Sequence, residues 1–249
     1  MAVTRTHRAW VAAIVVGIAL VAGCARGPDT PTATVTSSHD AHVPAEFDTT
    51  FRWIAGPALD MSSPEGTFVR AYVESFELAN AGGSVQWGYR GFVQASPSNI
   101  DQMILAYPSG VSAGRHAVGT AFFTSLRRID GVDRTRIVLC RYGYRSVRDG
   151  DAWVSKVDDP HPVEIDFRRE GATPPTAASG RLRTPETAVF GGWYTTRYDF
   201  AAVYPTPTAD QHACAATVPD AALNRGPARG DQPWPTMAPS PGWSGRSVV

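Results

Sequence analysis

The chain has 249 residues, enough for one medium-sized domain with extensions at its ends. Apolar residues make up 43% and charged residues 18%, which excludes both a wholly disordered chain and a multi-span membrane protein. The 23 basic residues balance 23 acids, which argues against nucleic acid as the main partner.

The N-terminus carries the strongest signal. Arg5 and Arg8 give a positive start, with no acid in residues 1–23. An apolar run over 10–22 follows, shorter than the ~20 residues that a spanning helix needs and ending in small residues, as an export signal does. Its last residues are Val21, Ala22, Gly23 and Cys24. This pattern resembles the lipobox of bacterial lipoproteins. The resemblance implies cleavage before Cys24, acylation of its sulfur, and anchoring at the outer face of the cell membrane through the acyl chains. Each buried methylene contributes ~0.8 kcal/mol, so several chains hold firmly where one does not. Ala25 follows the cysteine, so an Asp-based inner-membrane retention signal is absent. Cleavage would remove Arg5 and Arg8 and no acid, leaving 21 bases against 23 acids, so the acyl chains rather than net charge must do the anchoring. Only Lys156 among the bases is a lysine, a skew that fits the GC-rich genome of an actinobacterium.

Residues 24–45 are rich in Thr, Ser, Pro and Ala, lack aromatic residues and show no apolar period. They read as a flexible linker that reaches up to about 60 Å when extended at ~3.1 Å per residue. His39 and His42 fall here, where nothing would preorganise a metal site.

Residues 46–204 hold most of the aromatic and branched apolar residues and read as the globular domain. Ser62, Pro64 and Glu65 form a helix-start signal, with a capping box expected from Ser62. Phe68, Val69, Tyr72, Val73 and Phe76 then mark one helical face, which Gly82 and Gly83 stop. A second short helix is expected over 91–95 or 99–106. Strands are expected over 118–126 and 135–147, separated by the Asp130-Gly131 turn. A hairpin through Asp149-Gly150 leads to a strand over 153–157. Val163, Ile165 and Phe167 alternate with polar residues, as in a half-buried strand, and a last strand is expected over 189–200. Residues 205–249 carry eight prolines and read as an extended or disordered tail.

A helix followed by a meander predicts an α+β single domain, with a helix packed on a curved antiparallel sheet of four to six strands. This order resembles the cone-shaped nuclear-transport-factor-two-like superfamily, which occurs in many actinobacterial lipoproteins. That resemblance rests on element order over about residues 60–204.

With Cys24 assigned to lipid, Cys140 and Cys214 remain as an even pair in an oxidising compartment, which predicts a disulfide. No cofactor or metal is expected.

Gly110-Val111-Ser112-Ala113-Gly114 matches the nucleophile-elbow pattern G-x-S-x-G, and Asp199 or Asp210 with His212 would complete the order Ser, Asp, His. A chain this rich in glycine and serine produces such a pentapeptide readily by chance, and the βα units that precede a true elbow are missing. His161, between Pro160 and Pro162, reads first as a turn residue.

Residues 127–148 hold seven arginines and two aspartates, whereas 149–170 hold seven acids and three bases. Either the arginines form a stripe for phospholipid headgroups or anionic wall polymers, or the charges pair across neighbouring strands; the second is favoured. Trp87, Tyr89, Phe92, Phe122, Phe123, Tyr142, Tyr144, Trp193, Tyr194 and Tyr198 either fill a core or line an apolar pocket.

The expected function is therefore a lipid-anchored, non-enzymatic binding or assembly module of the cell envelope, with an envelope protein or an apolar ligand as partner. The alternatives are an apolar-ligand or lipid carrier, and a serine hydrolase using Ser112.

Overall fold

A computed structural model describes residues 43–106, 115–176, 179–199, 207–223 and 226–245. Cys24, the linker histidines and residues 110–114, Ser112 included, lie outside the described residues.

The first element is a strand, β1 (Phe47–Ile54), whose odd-numbered residues are buried and even-numbered ones half-buried. Helix α1 (Pro64–Gly82) follows. Its N-cap is Ser63, one residue later than expected: the Ser63 hydroxyl accepts from the Gly66 amide, and Pro64 takes the first helical position, where its missing N–H costs nothing. Ser62 instead hydrogen-bonds Asp60. The helix ends at Gly83, which adopts a positive φ of 64° and donates back to Ala79 and Asn80. The short helix α2 (Ile100–Ala106) corresponds to the second of the two expected positions.

Five strands follow: β2 (Ala117–Asp130), β3 (Thr135–Asp149), β4 (Ala152–Val157), β5 (His161–Arg168) and β6 (Tyr194–Asp199). With the two-residue β7 (Arg229–Gly230) they complete a seven-stranded sheet. The long β3 is shared, its first half pairing with β5 and its second with β4. The fold is α+β, as its residue pattern predicts. The sheet is mixed rather than purely antiparallel, because β1 pairs in parallel with β2. The last strand is shorter than expected, since Val189, Phe190 and Trp193 are buried in the loop before β6.

Helix α1 covers one face of the sheet. Phe68, Val69, Tyr72, Val73 and Phe76 are all buried there, against Phe51 and Phe123 from β1 and β2 and Ile165 and Phe167 from β5. The opposite face presents Phe122, Tyr142 and Tyr144, which water would also leave unfavourably exposed.

The C-terminal segment covers that second face, so its described residues, 207–223 and 226–245, are not an extended tail. Helix α3 (Ala209–Ala216) begins with a Thr208/Gln211 capping box and brings Cys214 to Cys140, forming the predicted disulfide. Tyr142 hydrogen-bonds the Thr217 hydroxyl at 2.8 Å, and Tyr144 donates to the Pro235 carbonyl at 2.8 Å. Trp234 packs against Tyr144. The chain then rounds the β1 edge, where Trp53 N–H donates to the Ser240 carbonyl and Ser240 N–H to that of Phe51. It ends with Trp243 buried on the helix side. Prolines do not prevent this packing, because the strap needs few backbone donors and makes contact through aromatic rings and carbonyls.

The bridge from Cys140 to Cys214 closes a long loop, with a sequence separation of 74. Replacing both cysteines by alanine is expected to lower stability by about 2–4 kcal/mol in urea unfolding.

Candidate anion-binding site

Three charged clusters stand out among the described residues, and one of them lines open space. The first is sealed in the core. Glu74 of α1 accepts hydrogen bonds from Trp53 Nε1 at 2.8 Å, the Tyr89 hydroxyl at 2.6 Å and Trp243 Nε1 at 2.7 Å. Arg70, one helical turn earlier, lies 3.9 Å from Glu74, with its guanidinium carbon 3.5 Å from the centre of the Trp243 ring. Burial pushes the Glu74 carboxyl up and the Arg70 guanidinium down, while their mutual attraction opposes both shifts. Every donor here belongs to the protein, so the cluster is structural. In Glu74→Gln, one carboxylate oxygen becomes an NH2 facing indole or phenol donors. The variant is expected to lose about 1–3 kcal/mol in denaturant unfolding.

The second cluster lies where β3 passes from β5 to β4. Arg141 binds Glu77 of α1 at 2.7 Å and Asp158 at 3.2 Å, and Arg145 also reaches Asp158 at 3.2 Å. His161 sits beside them, with Nδ1 3.1 Å from the Asp159 carbonyl. Burial, and secondly the Arg141 charge, lower its pKa against the weaker pull of Glu77 and Asp158. A depressed imidazole stays neutral in the folded chain. Its contribution to stability is present above the ordinary value of about 6.5 and is lost as pH falls through the lowered folded value. An NMR titration of the His161 ring is expected to give a midpoint below 6.5, and His161→Asn to flatten the stability profile across that acid window.

The third cluster surrounds a cavity of about 510 Å³ at the β2–β3 turn, within the range of small-molecule sites. Asp130-Gly131 starts the turn, closed by a 2.8 Å hydrogen bond from Gly131 N–H to the Arg134 carbonyl. Arg128 from the end of β2, Arg134 from the turn and Arg169 just after β5 converge on the space. Phe167 forms an apolar wall, and Val132 stands fully exposed at the mouth. Glu65, in the first turn of α1, holds Arg128 with both carboxylate oxygens and also contacts Arg169. Arg169 is further held 2.9 Å from the Thr135 hydroxyl, over the rings of Phe167 and Trp193. Hydrogen bonding from Arg128 keeps the Asp130 carboxyl below the usual range, so it is ionised at neutral pH. Among the described residues, Arg134 forms no side-chain hydrogen bond or ion pair. The cavity therefore offers uncommitted cationic donors together with carboxylate acceptors.

The remaining arginines and acids of this region largely pair across strands. Arg136 binds Asp166 at 2.6 Å and lies 3.5 Å from Glu164, and Arg168 reaches Asp133 at 2.7 Å. The sequence marks the arginine stripe but not its division into paired strands and an open turn. Arg169 is missed because it follows β5 in the acid-rich stretch 149–170, outside the arginine stripe.

Of the residues expected to act together as a hydrolase triad, Ser112 lies outside the described residues, and the described ones are placed as follows. Asp199 pairs with Arg197, and Asp210 is held by both arms of Arg127. Among the described residues, no hydrogen bond joins His212 of α3 to either acid. The candidate aromatics divide between two packed clusters. Tyr89, Phe92, Phe123, Trp193 and Tyr198 lie on the helix side, and Phe122, Tyr142 and Tyr144 on the strap side. Among the described residues, no group of three or more His, Cys, Asp or Glu side chains is placed to hold a metal ion, and no helix is long and apolar enough to cross a membrane. Comparison with protein-family models, curated proteins and solved structures finds no match.

Proposed function

We propose that the chain is a lipid-anchored, extracytoplasmic binding module of the cell envelope, non-enzymatic, tethered through Cys24 and carrying its ligand site in the cavity of Arg128, Arg134 and Arg169. The observation that carries the extracytoplasmic reading is the Cys140–Cys214 disulfide. Structural disulfides persist in oxidising compartments outside the cytosol, which is where a processed lipoprotein resides. Together with the Val21-Ala22-Gly23-Cys24 ending, two cysteine observations of different kinds favour one compartment.

The binding role rests on the cavity. Its open arginine fork differs from the paired arginines elsewhere on the sheet, and a concave site with convergent polar groups is the usual form of a ligand pocket. Division of the aromatics between two packed clusters favours this polar site over an aromatic-lined carrier cavity. The described chain enters the domain at β1, beside Ala117 at the start of β2. The cavity lies at the other end of β2, a strand of 14 residues, or about 45 Å at 3.3 Å per residue.

Replacing Cys24 by serine removes the sulfur nucleophile. The parent is expected to partition into the detergent phase, and Cys24→Ser to remain unprocessed or move to the aqueous phase. A variant that matures and stays membrane-bound like the parent would contradict the anchor.

A further inference from the structure

We infer that the cavity at the β2–β3 turn takes the phosphate group of a hydroxylated phosphoester, with glycerol phosphate as its simplest form. This rests on the cavity being the binding site proposed above and adds the chemistry of its ligand.

The donor inventory points to an oxyanion. A guanidinium has five N–H donors. In Arg134, none of them has a protein partner among the described residues. Arg169 spends only Nη2, on Thr135, Glu65 and, at 4.0 Å, Asp130, which leaves Nε and Nη1 uncommitted. Its guanidinium is nevertheless held in place over the stacked rings of Phe167 and Trp193. One oriented and one unpaired fork facing a shared space match the several acceptor oxygens of a phosphate better than the two of a single carboxylate.

The acceptor inventory adds the hydroxyls. Asp130 and Asp133 line the same cavity, and both side chains are more than half exposed. Asp130 is paired with Arg128 and Asp133 with Arg168, and a bare phosphate would bring further negative charge beside them. A ligand that also carries hydroxyl groups donates to the carboxylates while its phosphate accepts from the arginines, so the mixed lining selects a molecule with both. Carbon atoms between those groups would rest against Phe167 and Val132.

Glycerol phosphate occurs both as a free phosphoester and as the headgroup of phosphatidylglycerol, and the test separates the two. The full-length lipidated chain in phosphatidylcholine nanodiscs is titrated calorimetrically with glycerol 3-phosphate and, separately, with inorganic phosphate at low ionic strength. Glycerol 3-phosphate is expected to bind more tightly than inorganic phosphate. Arg134→Ala should weaken its binding about tenfold, in line with loss of a charge-assisted hydrogen bond, while Arg181→Ala, away from the cavity, should leave it unchanged. Asp133→Asn should erase the preference for the hydroxylated ligand. Repetition in nanodiscs containing phosphatidylglycerol assigns the source: loss of glycerol 3-phosphate binding identifies the lipid headgroup as occupant, and retained binding identifies a free phosphoester. Absence of binding at millimolar ligand, or equal binding by the parent and Arg134→Ala, overturns the inference and leaves the Cys24 anchor untouched.

Discussion

A carboxylate sealed in an apolar core is costly unless its oxygens are hydrogen-bonded, and Glu74 satisfies that condition with donors from three separate parts of the chain. Trp53 comes from β1, Tyr89 from the loop after α1, and Trp243 from the last described segment. Arg70 supplies the opposite charge and a flat guanidinium against the Trp243 indole. The cluster thus ties the helix to the first strand on one side and to the C-terminal strap on the other. Removing any one donor leaves the buried carboxylate short of a partner, which makes the cluster demanding of one arrangement.

The strap follows from the same logic at a larger scale. A sheet with apolar residues on both faces needs two covers. Helix α1 supplies one, and the proline-rich C-terminal segment supplies the other, held at one point by the disulfide to β3 and at the far point by Trp243 beside Glu74. Between these points it pairs with the edge of β1 at Ser240. The β2–β3 turn lies at the end of the long strands, where residues 130–134 are exposed. Arg134 is left open there because the turn projects past the core, while its neighbours Arg128 and Arg169 are held by Glu65 and Asp130.

Much of the helix and strand pattern is legible in the residues. The α1 face from Phe68 to Phe76 sits where its period places it; Val163, Ile165 and Phe167 are buried as expected, but Glu164 and Asp166 between them are buried too, so β5 is covered on both faces rather than half-buried. β1 is harder to read, since its polar positions Asp48, Thr50 and Arg52 are separated by Thr49 as well as by aromatic residues, and its parallel partner is distant in sequence. The strap is harder still. Its composition is that of a disordered tail, and its order comes from Trp234, Trp243 and Cys214 meeting partners far back in the chain. Two large aromatic side chains and one cysteine in a proline-rich stretch are the signal that composition averages away. Of the cavity, the sequence shows the arginine stripe and the Asp130-Gly131 turn. It does not show that Glu65 and Arg169, from other elements, complete the site.

Hydrogen exchange of the tryptophan indoles tests the wrapped architecture most directly. Trp53 and Trp243 Nε1–H, both bound to Glu74, should exchange as slowly as the amides of central β3, opening only with global unfolding. Fast exchange at Trp243 with continued protection of the sheet would show a strap that is not part of the folded core, and would contradict the account.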